Sequence, residues 1–224
     1  MGKQHGSRCG QNIGWLGAML IASAIGVFAF LFRVVRAGRS DRIDLACTLR
    51  VQRVRAPWFD RLMRLVSWAG FPPQSRIIPW LAPLIWLARG QKLEALFQIL
   101  AWGTGVISFA VKFAMRRPRP DHPEVAVATA RIGGTSFPSG HVLNYLGVYG
   151  FLTYILLRNR PLTLARGAAA ALLGAMLTLV GLSRVYLGHH WLSDVSASYL
   201  LGLSYLFGLT RLYEWARRRL DGEV

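Results

Sequence analysis

Three short motifs hold the residue types that can do chemistry: Lys112-x6-Arg119-Pro120, Pro138-Ser139-Gly140-His141 and Ser183-Arg184-x5-His190-x3-Asp194. Each stands at the end of an uncharged run, and together they supply three cations, two histidines and one carboxylate. That set suits a phosphoryl group. Its negative charge lies on peripheral oxygens, so the main tasks are to hold and neutralise those oxygens and to align an attacking with a leaving atom. In this reading Lys112, Arg119 and Arg184 provide the charge and the two histidines do the chemistry.

Each motif has a physical rationale. Ser139-Gly140-His141 follows a proline and opens an apolar run, where a helix N-terminus presents backbone N–H groups and partial positive charge to an anion. His190 and Asp194 are four residues apart, so on one helix face the carboxylate is expected to accept the imidazole N–H and leave the other nitrogen free to attack. Arginine suits the cationic positions because its planar fork binds two phosphate oxygens and keeps its charge.

Taken together, these residues resemble the type 2 phosphatidic acid phosphatase superfamily, whose K-x6-R-P, P-S-G-H and S-R-x5-H-x3-D pattern is matched at every position between Lys112 and Asp194. The resemblance implies that His190 is the nucleophile forming a phosphohistidine and that His141 protonates the leaving oxygen. It further implies that Asp194 orients His190, while Lys112, Arg119, Ser139, Gly140 and Arg184 bind phosphate. Arg117-Pro118 is a second Arg-Pro pair, but only Arg119 has the family spacing from Lys112. His189 fits no position of the pattern and is read as interfacial or as a support for the site.

Taken singly, each motif has a plainer explanation. A basic cluster after an apolar run is usually a membrane flank, a Pro-Ser-Gly run is usually a turn, and His and Asp four apart usually share a local hydrogen bond. The coincidence of all three in order outweighs these readings.

The elements that position the motifs are apolar runs. Hydrophobic residues make up 53% of the 224-residue chain and charged residues 17%, and the charges cluster between long uncharged stretches. Those stretches cover 9–32, 77–88, 95–111, 142–157, 167–183 and 195–210. They predict an all-α integral membrane protein of one domain, a bundle of six transmembrane helices with the site residues at the membrane boundary. The first run is longer than a signal-peptide core of about 7–15 residues and no small-residue cleavage site follows it, so it is read as an uncleaved crossing. Pro79 and Pro83 interrupt the second run, which either crosses as a kinked helix or re-enters. The fifth run, rich in glycine and alanine, is expected inside the bundle. Between the first two runs, Trp58, Leu62, Met63, Leu65, Val66 and Ala69 recur at helical spacing, which predicts an amphipathic helix lying in the headgroup plane or packed on the bundle.

Other classes fit less well. Cys9 and Cys47 form no disulfide framework or zinc cluster, and Cys47-x5-Arg53 lacks the glycine that a cysteine-phosphatase loop needs. Ten acidic residues, scattered along the chain, are too few for a two-metal site, so catalysis without a metal or other cofactor is expected. The net charge of +17 lies at run ends, which favours anionic membrane lipids over nucleic acid. If all six runs cross, both termini share one side and the site lies on the other. The excess of arginine on the catalytic side argues for a cytoplasmic site, whereas the resemblance implies an extracytoplasmic site in the inner membrane, which is the orientation adopted.

The expected function is therefore hydrolysis of a phosphorylated membrane lipid of the phosphatidic acid type through a phosphohistidine. A polyprenyl diphosphate phosphatase would use the same residues. A vanadate haloperoxidase shares the constellation but belongs to a soluble branch, and a non-catalytic transporter or scaffold accounts for the spans but not for the complete set of motifs.

Overall fold

The computed structural model describes residues 4–128, 133–158 and 161–222, with side chains from residue 15 onward. The described residues form helices joined by short turns, except for a long loop between the sixth and seventh: α1 (Gln4–Arg36), α2 (Asp41–Gln52), α3 (Pro57–Trp68), α4 (Gln74–Ala88), α5 (Lys92–Leu100), α6 (Gly103–Met115), α7 (Gly140–Asn144), α8 (Gly150–Arg158), α9 (Leu164–Tyr186) and α10 (Leu192–Leu220). One π-helical turn, Tyr145–Tyr149, joins α7 to α8 into a continuous rod.

Large apolar side chains line the exterior as well as the core. Trp15, Val106, Phe109 and Phe113 face outward at 67–73% exposure, while Thr48, Gln98, Thr104, Ser183 and Ser198 are buried among Met63, Phe137 and Phe151 in the interior. An apolar exterior is what a lipid solvent selects. Four stretches are long and apolar enough to cross a membrane: Trp15–Arg36, Lys92–Met115 through α5 and α6, Gly140–Arg158 and Leu164–Tyr186. Helix α10 has ample length with its charges gathered at the two ends, whereas the 15 residues of α4 span only about 22 Å at 1.5 Å each.

Three packing arrangements position the site. The α7–α8 rod runs against α10 and closely past the α5–α6 junction, where a Cβ on Gly147 would stand 2.3 Å from the Ala101 carbonyl. The π turn loosens the local ladder, and Gln98 Nε2 donates to the Val148 carbonyl at 2.8 Å in compensation. Helix α3, started by Pro57 in its first turn, buries Met63, Val66 and Ser67 against α9 while Trp58, Leu65 and Trp68 stay exposed. The bundle-packed alternative for this helix is thus realised, with an apolar outer face besides. Helix α1 lies along α10, and Phe28 and Phe32 close over Phe137.

The glycine- and alanine-rich run packs unevenly. A Cβ on Gly167 or Gly174 would meet nothing within 4 Å, although Ala170 between them is buried and α9 packs along α8. The closest approach comes further along at Gly181, where a Cβ would stand 2.6 Å from Tyr199 and Val195. Small residues permit close approach but do not choose which face is used, and here Val180, Ser183 and Arg184 choose it.

Candidate active site

All three motifs meet at one end of the bundle: Lys112 in the last turn of α6, Ser139-Gly140-His141 at the start of α7, Arg184 at the end of α9, and His190 and Asp194 at the entry to α10. Arg119 arrives on the loop after α6. That loop begins at Arg116, a non-glycine residue in the left-handed region with φ of 52°, which ends the helix and turns Arg117 inward.

Arg184 is fully buried. Its Nη1 donates to Ser67 Oγ at 3.1 Å and its Nη2 to His189 Nδ1 at 2.6 Å, and its guanidinium lies 5.0 Å from the Phe71 ring centre. His189, 1% exposed, is therefore a support for Arg184 rather than an interfacial residue. Lys112 Nζ donates to the Thr135 carbonyl at 2.8 Å. Arg119 donates through Nη1 to the His189 carbonyl at 2.9 Å and through Nε to the Gly133 carbonyl at 3.2 Å, and its Nη1 stands 3.2 Å from His190 Nε2.

His190 differs from the expected arrangement in one respect. It lies in the turn before α10, not on the helix, and its Nδ1 donates to the Ser136 carbonyl at 2.8 Å while Asp194 Oδ2 is 3.5 Å away. Asp194 is drawn off by two other donors. As the third residue of α10 it accepts from the Trp191 backbone N–H at 2.9 Å, and its other oxygen accepts from Arg117 Nη1 at 2.8 Å. The backbone carbonyl thus fixes the tautomer with Nδ1 protonated, and Nε2 is left with its lone pair toward the cationic cluster. Burial, followed by the fields of Arg184, Arg119 and Lys112, holds the His190 imidazole well below its ordinary pKa of 6.5, so the ring stays neutral.

Arg117, set aside by its spacing, is the most connected side chain of the region. Nη1 also donates to Ser193 Oγ at 2.7 Å, and Nη2 reaches Asp44 Oδ2 at 2.8 Å and Asp41 Oδ1 at 3.0 Å. Asp44 in turn accepts from the Ser193 backbone N–H at 2.8 Å and from its hydroxyl at 2.6 Å. Helix α2, the Arg-Pro loop and the start of α10 are locked by this buried network. Asp44 and Ser193 carry no motif of their own, and the doubled Arg-Pro pair was the one sequence signal for Arg117.

The turn after α3 also went unread. Phe71 stands 4.7 Å from the His141 ring and 5.9 Å from the His189 ring, and a Cβ on Gly70 would come within 2.2 Å of the His141 ring. His141 is thereby wedged by an apolar turn. Among the buried polar atoms here that lack a protein hydrogen-bond partner are Ser139 Oγ, His141 Nε2 and Arg184 Nε. Buried polar atoms are rarely left so, and such atoms in the same motifs as the cations Lys112 and Arg119 suit a multi-oxygen anion. Gly140 sits beside Ser108 Oγ and Lys112 Cε, which a Cβ there would meet at 3.6 and 4.0 Å, in ordinary contact. The Ser139 backbone N–H is engaged by Ser198 Oγ at 2.7 Å, so it is not one of the free amides expected at this helix start. Among the described residues, no three His, Cys, Asp or Glu side chains converge as metal ligands.

A cleft of about 610 Å³ reaches the edge of this cluster, lined by Arg117, Arg119, His122 and Trp191. A second, of about 740 Å³, lies between α2, α3 and the Glu124–Ala128 segment, with Arg53, Arg55 and Arg64 on its walls. Arginines outnumber acidic residues on the walls of both.

Comparison with known proteins shows the family to which the chain belongs. The PAP2 superfamily model matches residues 92–218. Phosphatidylglycerophosphatase B of Bacillus subtilis is 28% identical over 185 residues, covering 80% of this chain and 88% of that protein. Decaprenylphosphoryl-5-phosphoribose phosphatase of Mycobacterium tuberculosis is 31% identical over 96 residues, covering 43% of this chain and 48% of that protein. The crystal structure of a transmembrane PAP2-type phosphatidylglycerolphosphate phosphatase from Bacillus subtilis superposes with a TM-score of 0.74 at 25% identity, covering 87% of this chain and 96% of that one.

Proposed function

Because the chain belongs to the PAP2 superfamily and is a membrane-embedded phosphoric monoester hydrolase, we propose that it cleaves the phosphomonoester of a glycerolipid at the bilayer surface through a phosphohistidine on His190. The observation that carries this reading is the neutral His190 with Nδ1 held by the Ser136 carbonyl and Nε2 turned to the cations.

In the first step the Nε2 lone pair of His190 attacks phosphorus, and the bond from phosphorus to the lipid oxygen breaks. Lys112, Arg119 and Arg184, with Ser139, hold the three peripheral oxygens. His141, which burial and Arg184 keep neutral until the phosphate anion binds and which then takes up a proton, gives that proton to the departing lipid alkoxide. The same histidine then takes a proton from water, which attacks the phosphohistidine and releases inorganic phosphate with His190 restored. Asp194 serves this cycle mainly by capping α10 and anchoring Arg117, and its carboxylate steadies charge near the Nδ1 side of His190. No step requires a metal ion.

The chain is an integral membrane protein, and we read six crossings in it, with α4 and α10 joining the four clear spans and the site on the extracytoplasmic side of the inner membrane. Anionic lipids and the phosphorylated substrate would gather at the basic clefts. A polyprenyl phosphate or diphosphate is the second reading, favoured by the similarity to the decaprenylphosphoryl-5-phosphoribose phosphatase. The deciding experiment assays purified protein in detergent against phosphatidic acid, phosphatidylglycerol phosphate, lysophosphatidic acid and undecaprenyl diphosphate. Faster turnover of the glycerolipid monoesters, with an acid-labile phosphoenzyme, is expected. Equal specificity constants for a soluble phosphate ester and its acylated analogue would refute a lipid-directed site.

A further inference from the structure

The opposite end of the bundle holds a further basic cleft. Arg166 and Arg184 lie on the same helix, α9, 18 residues apart, a separation of about 27 Å at 1.5 Å per residue, close to the hydrocarbon thickness of a bilayer. Around Arg166 a cleft of about 660 Å³ is lined by Arg89, Arg158, Arg217, Trp86 and Gln91. It adjoins an apolar groove of about 460 Å³ between α4, α8 and α9, with which it shares Trp86, Arg89 and Leu156. Ile85, Leu152, Ala169 and Leu172 also line the groove. The nearest of these to the phosphate site along α9, Leu173, is still 11 residues, or about 16 Å, from Arg184.

The chemistry of this place is that of a headgroup joined to chains. Arg158 pairs with Glu214, while Arg217 pairs with Glu94 and stands 3.6 Å from the exposed Asp221. Among the described residues that line the cleft, four are arginines and none is acidic. The Arg166 guanidinium is fixed at the cleft wall by the Leu156 and Pro161 carbonyls at 2.7 and 2.9 Å, and that of Arg89 stands 6.0 Å over the Trp86 ring. Trp86 is 6% exposed, yet its Nε1–H has no acceptor in the protein, and the buried Gln91 Oε1 has no donor. A phosphate or ester oxygen satisfies the first, and a headgroup hydroxyl the second.

We propose that this cleft and groove bind an anionic phospholipid of the leaflet opposite the catalytic end, phosphate toward Arg89 and Arg166 and an acyl chain along α4 and α9. Basic pockets between helices at a membrane surface are suited to such lipids. The bound lipid is not the substrate, because its headgroup sits a bilayer thickness from His190. It ties the end of α4 to α8 and α9.

The test uses delipidated full-length protein in detergent, with dioleoylphosphatidylglycerol and dioleoylphosphatidylcholine as probes and native mass spectrometry as readout. Wild type is expected to retain one phosphatidylglycerol in preference to phosphatidylcholine. The double variant Arg89→Gln/Arg166→Gln is expected to bind phosphatidylglycerol about tenfold more weakly and to lose the preference. Ala169→Trp, an exposed position where indole fills the groove, is expected to weaken retention of either lipid while the protein elutes as wild type. Equal retention of the two lipids by wild type, or unchanged phosphatidylglycerol affinity in both variants, would overturn the proposal. So would loss of retention in Lys112→Gln but not in the double variant, which would place the lipid at the catalytic end. Binding is read without turnover, so its failure leaves the proposed hydrolysis untouched.

Discussion

Arg117 Nη1 stands 2.8 Å from Asp194 Oδ1, and Nη2 of the same guanidinium stands 2.8 Å from Asp44 Oδ2. One side chain, 8% exposed, therefore joins two carboxylates that are 2% and 0% exposed. Removing a partner from such a buried group strands the remaining charges, at a cost of about 3–5 kcal/mol. Arg117→Ala is expected to lower the melting temperature in detergent sharply. Arg117→Lys keeps a charge but loses the fork that serves both carboxylates, so kcat should fall while KM for the lipid changes little, because Arg117 touches the capping carboxylate and not the phosphate. A thermal melt of Arg117→Ala indistinguishable from wild type would show that the network is not structural.

The two histidines should separate by leaving group. His190→Ala is expected to abolish both turnover and the acid-labile phosphoenzyme. His141→Ala is expected to slow turnover of a lipid alkoxide by about 10²–10⁴-fold, and to recover partly with p-nitrophenyl phosphate, whose leaving group departs without a proton. A phosphoenzyme persisting in His190→Ala would overturn the assignment, as would activity lost to EDTA and restored by magnesium.

Gly70 offers a test that alters no polar group. A Cβ there would stand 2.2 Å from His141 Cδ2 and 2.7 Å from its Nε2, so Gly70→Ala must move the imidazole. Because displacement of a catalytic group by about 1 Å can cost on the order of 10²-fold, kcat should drop steeply. Recovery with p-nitrophenyl phosphate should resemble that of His141→Ala. An equal loss with both leaving groups would mean that the substitution acts elsewhere.

The sequence displayed the site's cations and histidines because each is a polar residue at the end of an apolar run, where it stands out. The positions it concealed are of two kinds. Asp44 and Ser193 are ordinary polar residues whose role exists only once α2 is folded against α10, 149 residues away in the chain. Gly70 and Phe71 belong to a turn whose meaning depends on what it covers. His190 and Asp194 were legible as a pair but not as a geometry, since the four-residue rule assumes a helix and the helix begins only at Leu192. The open space beside Gly167 and Gly174 was hidden for a related reason, as composition records what a face permits and not whether it is used.

The pH dependence follows from the field on His190. Burial, then Arg184, Arg119 and Lys112, keep its imidazole well below 6.5, and the neutral ring is the nucleophile. In kcat/KM, which reports the free enzyme, protonation of this group should not reduce activity at about pH 6.5, where an ordinary imidazole is half protonated. Arg119→Gln removes a cation whose Nη1 is 3.2 Å from Nε2, which raises the His190 pKa toward its ordinary value. A raised pKa means more imidazolium at any acidic pH, so the acid limb of the variant should move to higher pH, on top of a weaker KM. Ionisation of the substrate phosphate is common to both enzymes and cancels in the comparison. Arg119→Lys restores the charge without the planar fork, so it should return the limb toward its wild-type position while leaving KM impaired. An acid limb that stays in place or moves downward in Arg119→Gln would mean that Arg119 does not set the charge state of the nucleophile.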